Sequence, residues 1–252
     1  MDVFWQAPPV SRTLAASALI VSLLGHGKLI PLYPFAFISR QVFKLPPEIW
    51  RPMTAFLVTG PKLGIILDPF FLYRYGSSLE TGSPRFSRPG DFFTYTLFVM
   101  TSIVVACGLG LGGFFFMSAL TLAFAYTYSQ DNPNVQIQFF IINFPAKYLP
   151  LAMLLMSFIM EGPTVCLEQS TGIFAAHLYD FFTRIWPAFG GGSREPWIKT
   201  PRLIAQAFGA DHVGPRPRAY GTAFAPPGDV DEPNAGRTTG ASWNRGPGRR
   251  LG

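Results

Sequence analysis

Charge is what this 252-residue chain has least of. Only 13% of its residues are Asp, Glu, Lys or Arg, against roughly a quarter in an ordinary soluble domain. Hydrophobic residues make up 49% and 25 positions are Phe, so the composition is that of a membrane protein and excludes a large water-facing domain. Cysteine is scarce as well. Cys107 and Cys166 lie in apolar stretches, which excludes a disulfide framework. No Asn-x-Ser/Thr sequon occurs, so glycosylation marks no lumenal face. A basic leader is also missing: "MDVFWQAPPVSR" carries one arginine behind bulky aromatics, and Leu14 to Gly25 reads as an uncleaved first span, not a signal peptide. No internal repeat with matching broken helices is present, which weighs against a small-solute transporter. No cofactor, metal or catalytic residue is expected.

What is present is apolar length. No residue from Phe92 to Gln130 is charged. One straight helix of that length would run about 58 Å, far beyond a hydrocarbon core of about 30 Å. The stretch must fold back, and "CGLGLGG" (107–113) marks the turn between spans near 92–109 and 112–129. Four further spans are expected near 14–33, 56–76, 139–160 and 169–188. They are interrupted by His26, Lys28, Pro61, Lys62, Asp68, Pro145, Lys147, Pro150, His177, Asp180 and Arg184. Ionisable groups inside spans usually face a protein interior or a water-filled cavity. Ser118, His177 and Asp180 are the candidates for lining such a cavity.

The expected fold is therefore an all-α membrane protein with six transmembrane helices over residues 1–189, followed by a cytosolic tail over 190–252. Within the tail, 200–208 suits a short amphipathic segment on the membrane surface, and 210–242 lacks any apolar period, the pattern of a disordered linker. An even number of spans puts both ends on one side. Arg12, Arg74, Arg85, Arg88, Arg184, Arg194, Lys199 and Arg202 fall on that side, whereas "EGPTVCLE" (161–168) opposite holds two acids and no base. The positive-inside rule makes the termini cytosolic. The first opposite-side loop departs from the rule through Arg40, Lys44, Arg51 and Lys62, and reads as a partly membrane-embedded element. The net charge of +6 gathers in the tail, where nine bases between Arg194 and Arg250 face five acids. Anionic lipid, not nucleic acid, is the expected partner for that charge.

Several stretches match a known family in order: "PPEIWRPMTAF" (46–56), "FFLYRYGSSLETG" (70–82), "RPGDFFTYTLF" (88–98) and "GIFAAHLYDFF" (172–182). Together they resemble the Derlin family, rhomboid pseudoproteases of the endoplasmic reticulum membrane. The resemblance implies a rhomboid-like six-span fold and a retrotranslocation role, moving misfolded proteins to the cytosol for degradation with a membrane ubiquitin ligase complex. Trp50 and Arg51 match the family's Trp-Arg motif. An indole favours the headgroup boundary and a guanidinium pairs with phosphates or carbonyls, so the pair suits an anchor for a loop in the lumenal leaflet. Gly172 and Ala176 fill a small-xxx-small pattern for close helix approach. An active intramembrane serine protease is the alternative, with Ser118 as nucleophile and His177 as base. Against it, active rhomboids carry a glycine two residues before the nucleophile, whereas Ser118 follows "FFFM". His177 also follows the small-xxx-small pair, where in active enzymes it precedes it.

The last residues, "SWNRGPGRRLG" (242–252), resemble the SHP box through which several Derlins bind valosin-containing protein, a cytosolic AAA unfoldase. Trp243, Gly246, Gly248 and Leu251 fill its pattern. The aromatic and the leucine supply anchors, and the glycines let the backbone lie close to a partner. With both termini on the cytosolic side, a tag at the carboxy terminus is expected to be lost when sealed microsomes are treated with protease. Protection of the tag would reverse the orientation.

Overall fold

The first helix begins where a proline permits it and is held by a carboxylate from another helix. In the computed structural model, which describes residues 5, 7–88, 90–139, 142–186 and 198–208, α1 spans Pro9–His26 with Pro at its start. A proline costs nothing there because its missing N–H would have no helical partner. The free N–H groups of Val10 and Ser11 donate to the two Glu80 oxygens at 3.0 and 2.9 Å, and Ser11 Oγ adds a third bond at 2.7 Å. Glu80 stands near the end of α4 (Gly64–Gly82), so α1 and α4 pair antiparallel. A negative charge at a helix N-terminus also meets the favourable end of its dipole.

Between these helices the chain forms short turns, α2 (Ser39–Val42) and α3 (Arg51–Thr54). The loop is tied to the bundle by aromatic contacts: Phe37 and Phe56 flank Phe116 at centroid distances of 5.4 and 5.3 Å. Next comes α5 (Asp91–Ile103), which continues as a wider helical stretch over Val104–Leu111. It stops at Gly112, whose φ of +75° is one that glycine adopts without strain. This 21-residue helix, Asp91–Leu111, is the one among the described residues that is long and apolar enough by itself to cross a membrane.

The centre of the bundle is α6 (Met117–Asp131), followed by α7 (Leu149–Glu161) and α8 (Pro163–Asp180), which runs on through Phe181–Ile185. Residues 119–125 of α6 are all buried, as expected for a helix surrounded on every face. Tyr95 of α5 reaches α6 through Thr127 Oγ1 at 2.6 Å and the Ala123 carbonyl at 3.3 Å. α8 also approaches α6 closely. A Cβ placed on Gly172 would lie 1.9 Å from the Ala119 carbonyl oxygen and 3.2 Å from the Ala123 amide. Only glycine fits between two helix backbones at that separation.

The expected spans shift: the first, expected at 14–33, is Pro9–His26, the sixth, expected from 169, starts at Pro163, and the second and fifth start late. The second begins at Gly64, because Pro61 and Lys62 belong to the preceding turn, where Lys62 has φ +60°. The fifth begins at Leu149 instead of 139. Residues 136–145 form a hairpin, β1 (Gln136–Phe139) with β2 (Ile142–Pro145), antiparallel with Ile137 opposite Phe144. Pro145 cannot continue a helix backward through its own position, and Pro150 lies in the first turn of α7, where it is tolerated. Lys28 and Lys62 therefore lie in turns outside the helices, and Lys147 in the 3-10 turn Ala146–Tyr148 that leads into α7. At 1.5 Å per residue α6 and α7, with 15 and 13 residues, are only about 22 and 20 Å long.

The short helix α9 (Arg202–Ala207) falls within the segment expected on the membrane surface, and it packs against α5. Phe208 meets Phe93 at 5.4 Å, and Ile204 lies over Gly90. Leu203 remains 80% exposed.

Close approach at Gly172 makes a sharp expectation. Gly172→Ala should destabilise the folded protein by about 1–3 kcal/mol or more, because the new methyl meets backbone and cannot be relieved by a rotamer change. Ala176→Gly should cost about 1 kcal/mol or less. Thermal unfolding in detergent micelles checks both. Equal melting of Gly172→Ala and the parent would mean that α6 and α8 are not held at this distance.

A candidate client-binding cavity

The helices leave a cavity of about 550 Å³ at the end of the bundle formed by the close of α1 and α7 and the starts of α4, α6 and α8. It lies between α4 and α7, with Met117 and Ser118 of α6 at its back. Because α4 and α7 each pack on α6, the gap between them has no third helix to fill it. Two chemistries line it. Met153, Met156 and Met160 recur at i, i+3 and i+7 on α7 and face Met117, Phe71 and Phe139. Methionine side chains are flexible and polarizable and accommodate different contact surfaces. Against them stand Asp68, Glu161, Glu168 and Gln169, with His26 and Lys62 near the mouth.

The polar groups are positioned by turns at helix ends. Asp68 accepts from the Gly60 amide at 3.3 Å. A Cβ on Gly60 would lie 2.9 Å from Glu161 Oε1 and 3.9 Å from Asp68 Oδ2, so both carboxylates converge on one glycine. His26 Nε2 lies 3.1 Å from the Thr59 carbonyl, and Ser22 Oγ accepts from the Thr59 amide at 3.0 Å. These bonds fix the 58–63 turn that forms the cavity's edge. Neither Glu161 nor Glu168 has an ion-pair partner among the described residues.

Trp50 and Arg51 divide the work of the loop between them. Arg51 is 2% exposed. It donates to the carbonyls of Tyr33 and Ala36 at 2.8 and 2.7 Å, pairs with Glu48, and stacks over the Tyr33 ring. Its guanidinium is thus consumed inside the loop, by carbonyls and a carboxylate. Trp50 is exposed, together with Phe43, Leu45, Ile49 and Met53. The outward face of a short polar-stapled loop is apolar, the distribution suited to hydrocarbon or headgroup surroundings.

The three expected cavity residues are not brought together. Ser118 lines the cavity. His177 lies toward the other end of the bundle, with Nδ1 3.4 Å from Tyr126 Oη. Tyr126 is eight residues beyond Ser118 on α6, about 12 Å along the axis. A Ser118–His177 pair is absent for that reason. Asp180 joins a separate cluster: Arg85 pairs with both Asp131 and Asp180, and Ser83 Oγ donates to Asp131 at 2.6 Å. Burial opposes the charge on Arg85, yet the two aspartates hold its pKa above the usual arginine value. This cluster fastens the turn after α4 to the ends of α6 and α8. Gly172 lies in the α6–α8 contact, and Ala176, one turn further along α8, is buried. Trp243, Gly246, Gly248 and Leu251 fall outside the described residues.

Sequence reasoning noticed Glu161 and Glu168 only as charges that set orientation, and it passed over Gln169 and the methionines. The i, i+3, i+7 spacing of Met153, Met156 and Met160 was a usable signal for one helix face.

Comparison with known proteins is consistent across kingdoms. The model of the Der1-like family matches residues 7–202. Derlin-1 of Homo sapiens is 29% identical over 209 residues, covering 81% of this chain and 80% of that protein. Derlin-1.2 of Zea mays is 28% identical over 219 residues, covering 84% and 86%. DER1-like family member protein 1 of Saccharomyces cerevisiae is 28% identical over 177 residues, covering 64% and 52%.

The division of labour in the loop has a measurable consequence. Arg51→Ala leaves two carbonyls and Glu48 without their buried donor, and should lower stability by about 3 kcal/mol. Trp50→Ala removes a side chain that is half exposed, and should leave the melting temperature within a degree or two while weakening partition of the loop into lipid. Trp50 and Arg51 variants that melt alike would contradict the separation.

Proposed function

The chain belongs to the Der1-like family, and on that premise we propose that it is a retrotranslocation factor that admits misfolded proteins into the α4–α7 cavity. Family membership supports a role in ER-associated degradation and residence in the endoplasmic reticulum membrane. It is also consistent with a rhomboid-like protein that does not catalyse peptide hydrolysis, as is the distance between Ser118 and His177.

The observation that carries the reading is a polar, methionine-walled cavity within an otherwise apolar helix bundle. Six spans place α1, α4, α5, α6, α7 and α8 across the bilayer, with both termini cytosolic and the cavity mouth toward the lumen. The short α6 and α7 favour a thinned bilayer, at a cost of fractions of a kcal/mol per Å of mismatch. Thinning and a polar cavity both reduce the penalty for charged client residues, roughly 2.5–3.5 kcal/mol each in intact hydrocarbon on insertion scales. Trp50 and its apolar neighbours anchor the 27–63 loop in the lumenal leaflet. The membrane domain of 1–189 carries a cytosolic tail of 190–252, whose Trp243, Gly246, Gly248 and Leu251 recruit the AAA unfoldase valosin-containing protein. A membrane ubiquitin ligase complex completes the assembly.

One experiment separates the membrane step from the motor step. A photo-crosslinking residue at Met156 should capture a misfolded lumenal client, and the same residue at Ser17 on α1, which does not line the cavity, should not. Deleting residues 243–252 should preserve the Met156 adducts while the client accumulates. Equal capture at both positions would remove the cavity from the pathway, and normal clearance after the deletion would place unfoldase recruitment elsewhere.

A further inference from the structure

The cavity is lined by carboxyls from α4, α7 and α8 and by the methionine face of α7, and among the described residues Asp68, Glu161 and Glu168 have no salt-bridge partner. Asp68 and Glu161 converge on Gly60, and Glu168 stands beside Gly113, with a carboxylate oxygen 3.4 Å from where a Cβ would be. Two basic groups also face this space, His26, already engaged with the Thr59 carbonyl, and Lys62 on the turn. Three carboxyls against one lysine and one histidine leave an acidic balance.

A second observation points to what fills it. Gln169 lines the same cavity and is 3% exposed, yet its Oε1 accepts no hydrogen bond. A buried acceptor without a donor is costly, and native proteins seldom leave one so. The whole wall asks for a donor-rich, positively charged group.

We infer that the cavity is a recognition site for the basic side chains, Lys or Arg, of an extended client segment. The inference rests on the reading of the cavity as the client-binding cleft and names the chemistry it selects. Both parts of such a side chain find a surface. The aliphatic stem lies along Met153, Met156 and Met117, and the charged head reaches Glu161, Glu168 and the Gln169 oxygen. A guanidinium suits the site well, because its planar donors can meet a carboxylate and an amide oxygen together. A bare inorganic cation would leave the methionine wall unused, and no cluster of His, Cys, Asp or Glu among the described residues is arranged to hold a metal ion. The functional gain is direct: basic residues are among the costliest to bring into hydrocarbon, and a site that neutralises them lowers the barrier where it is highest.

The test uses the full-length protein in zwitterionic phosphatidylcholine nanodiscs, so that lipid charge contributes nothing. Three dye-labelled extended peptides of one length and apolar content, carrying two Arg, two Gln or two Glu, are titrated by fluorescence anisotropy at low salt. The Arg peptide is expected to bind about fivefold tighter than the Gln peptide and to lose that margin as ionic strength rises. In the isosteric double variant E161Q/E168Q the Arg and Gln peptides should bind within about twofold of each other. Equal binding of Arg and Gln peptides to the parent protein would overturn the charge selectivity and leave the cleft itself standing. An Arg preference that survives in E161Q/E168Q would overturn the assignment to this cavity. Failure of all three peptides to bind would overturn both the selectivity and the cleft on which it rests.

Discussion

Everything in the bundle depends on how closely α8 can approach α6. Gly172 brings the α8 backbone against the Ala119 carbonyl, at a separation where a methyl group would stand 1.9 Å from the oxygen. Small residues on the α6 side, Ala119 and Ala123, are both buried and keep that surface flat. The contact buries little area per residue, so its value lies in dispersion between two backbones and in geometry. With α8 seated there, α6 becomes the fully enclosed centre, and α4, α5 and α7 take the remaining faces.

A central helix with four neighbours leaves seams. The seam between α4 and α7 holds the cavity, and α7 is short there: it starts at Leu149, after the hairpin, and its last residue is Glu161. Polar groups that close helix ends then find themselves at the seam's mouth. Asp68 takes the Gly60 amide, His26 and Ser22 hold Thr59, and Glu161 and Glu168 stand unpaired. The cavity is thus a by-product of short helices, and its chemistry follows from which residues end them.

How much of this was legible in the sequence depends on which signal carried it. The 39-residue uncharged stretch from Phe92 to Gln130 implied a turn, because its length exceeds bilayer thickness, but the glycines after Cys107 placed it early: Val104–Leu111 is still helical and the chain turns between Gly112 and Met117. Hydropathy failed at residues 139–148, since "FFIINFPAKY" is apolar but β-branched and proline-interrupted, and a hairpin satisfies it as well as a helix does. Arg51 was visible as an anomaly of charge, but the carbonyls and Glu48 that absorb its charge come from the folded loop. Of the cavity candidates, Ser118 lines one cavity and Asp180 the other, while His177 lines neither, because helix register, which the sequence leaves free, sets their depth. Close-packing at Gly172 was readable from the small-xxx-small spacing; the unpaired oxygen of Gln169 was not, because no sequence pattern states what a side chain lacks.

The two ends of the bundle are built on opposite electrostatic terms, and this gives the molecule a direction. At the α4 C-terminal end, Arg85 is neutralised by Asp131 and Asp180 and every partner is largely buried, an ion-paired cluster at the edge of a second cavity of about 700 Å³ whose breakage would strand charges. At the other end the carboxyls face an open cavity without partners. Between them an aromatic series closes the path: Phe139 stacks on Phe71 at 5.2 Å, Phe71 on Tyr75 at 6.0 Å, and Tyr75 meets Tyr128 at 5.3 Å. Phe71 and Phe139 form the cavity floor, and Tyr75 stands one turn further along α4. A polar segment entering from the mouth therefore meets favourable chemistry first and an apolar floor second. The free energy to open that floor cannot come from the cavity, which favours holding the segment where it is. On the proposed reading of the cavity as a client cleft, that free energy is supplied from the other side, by a pulling partner.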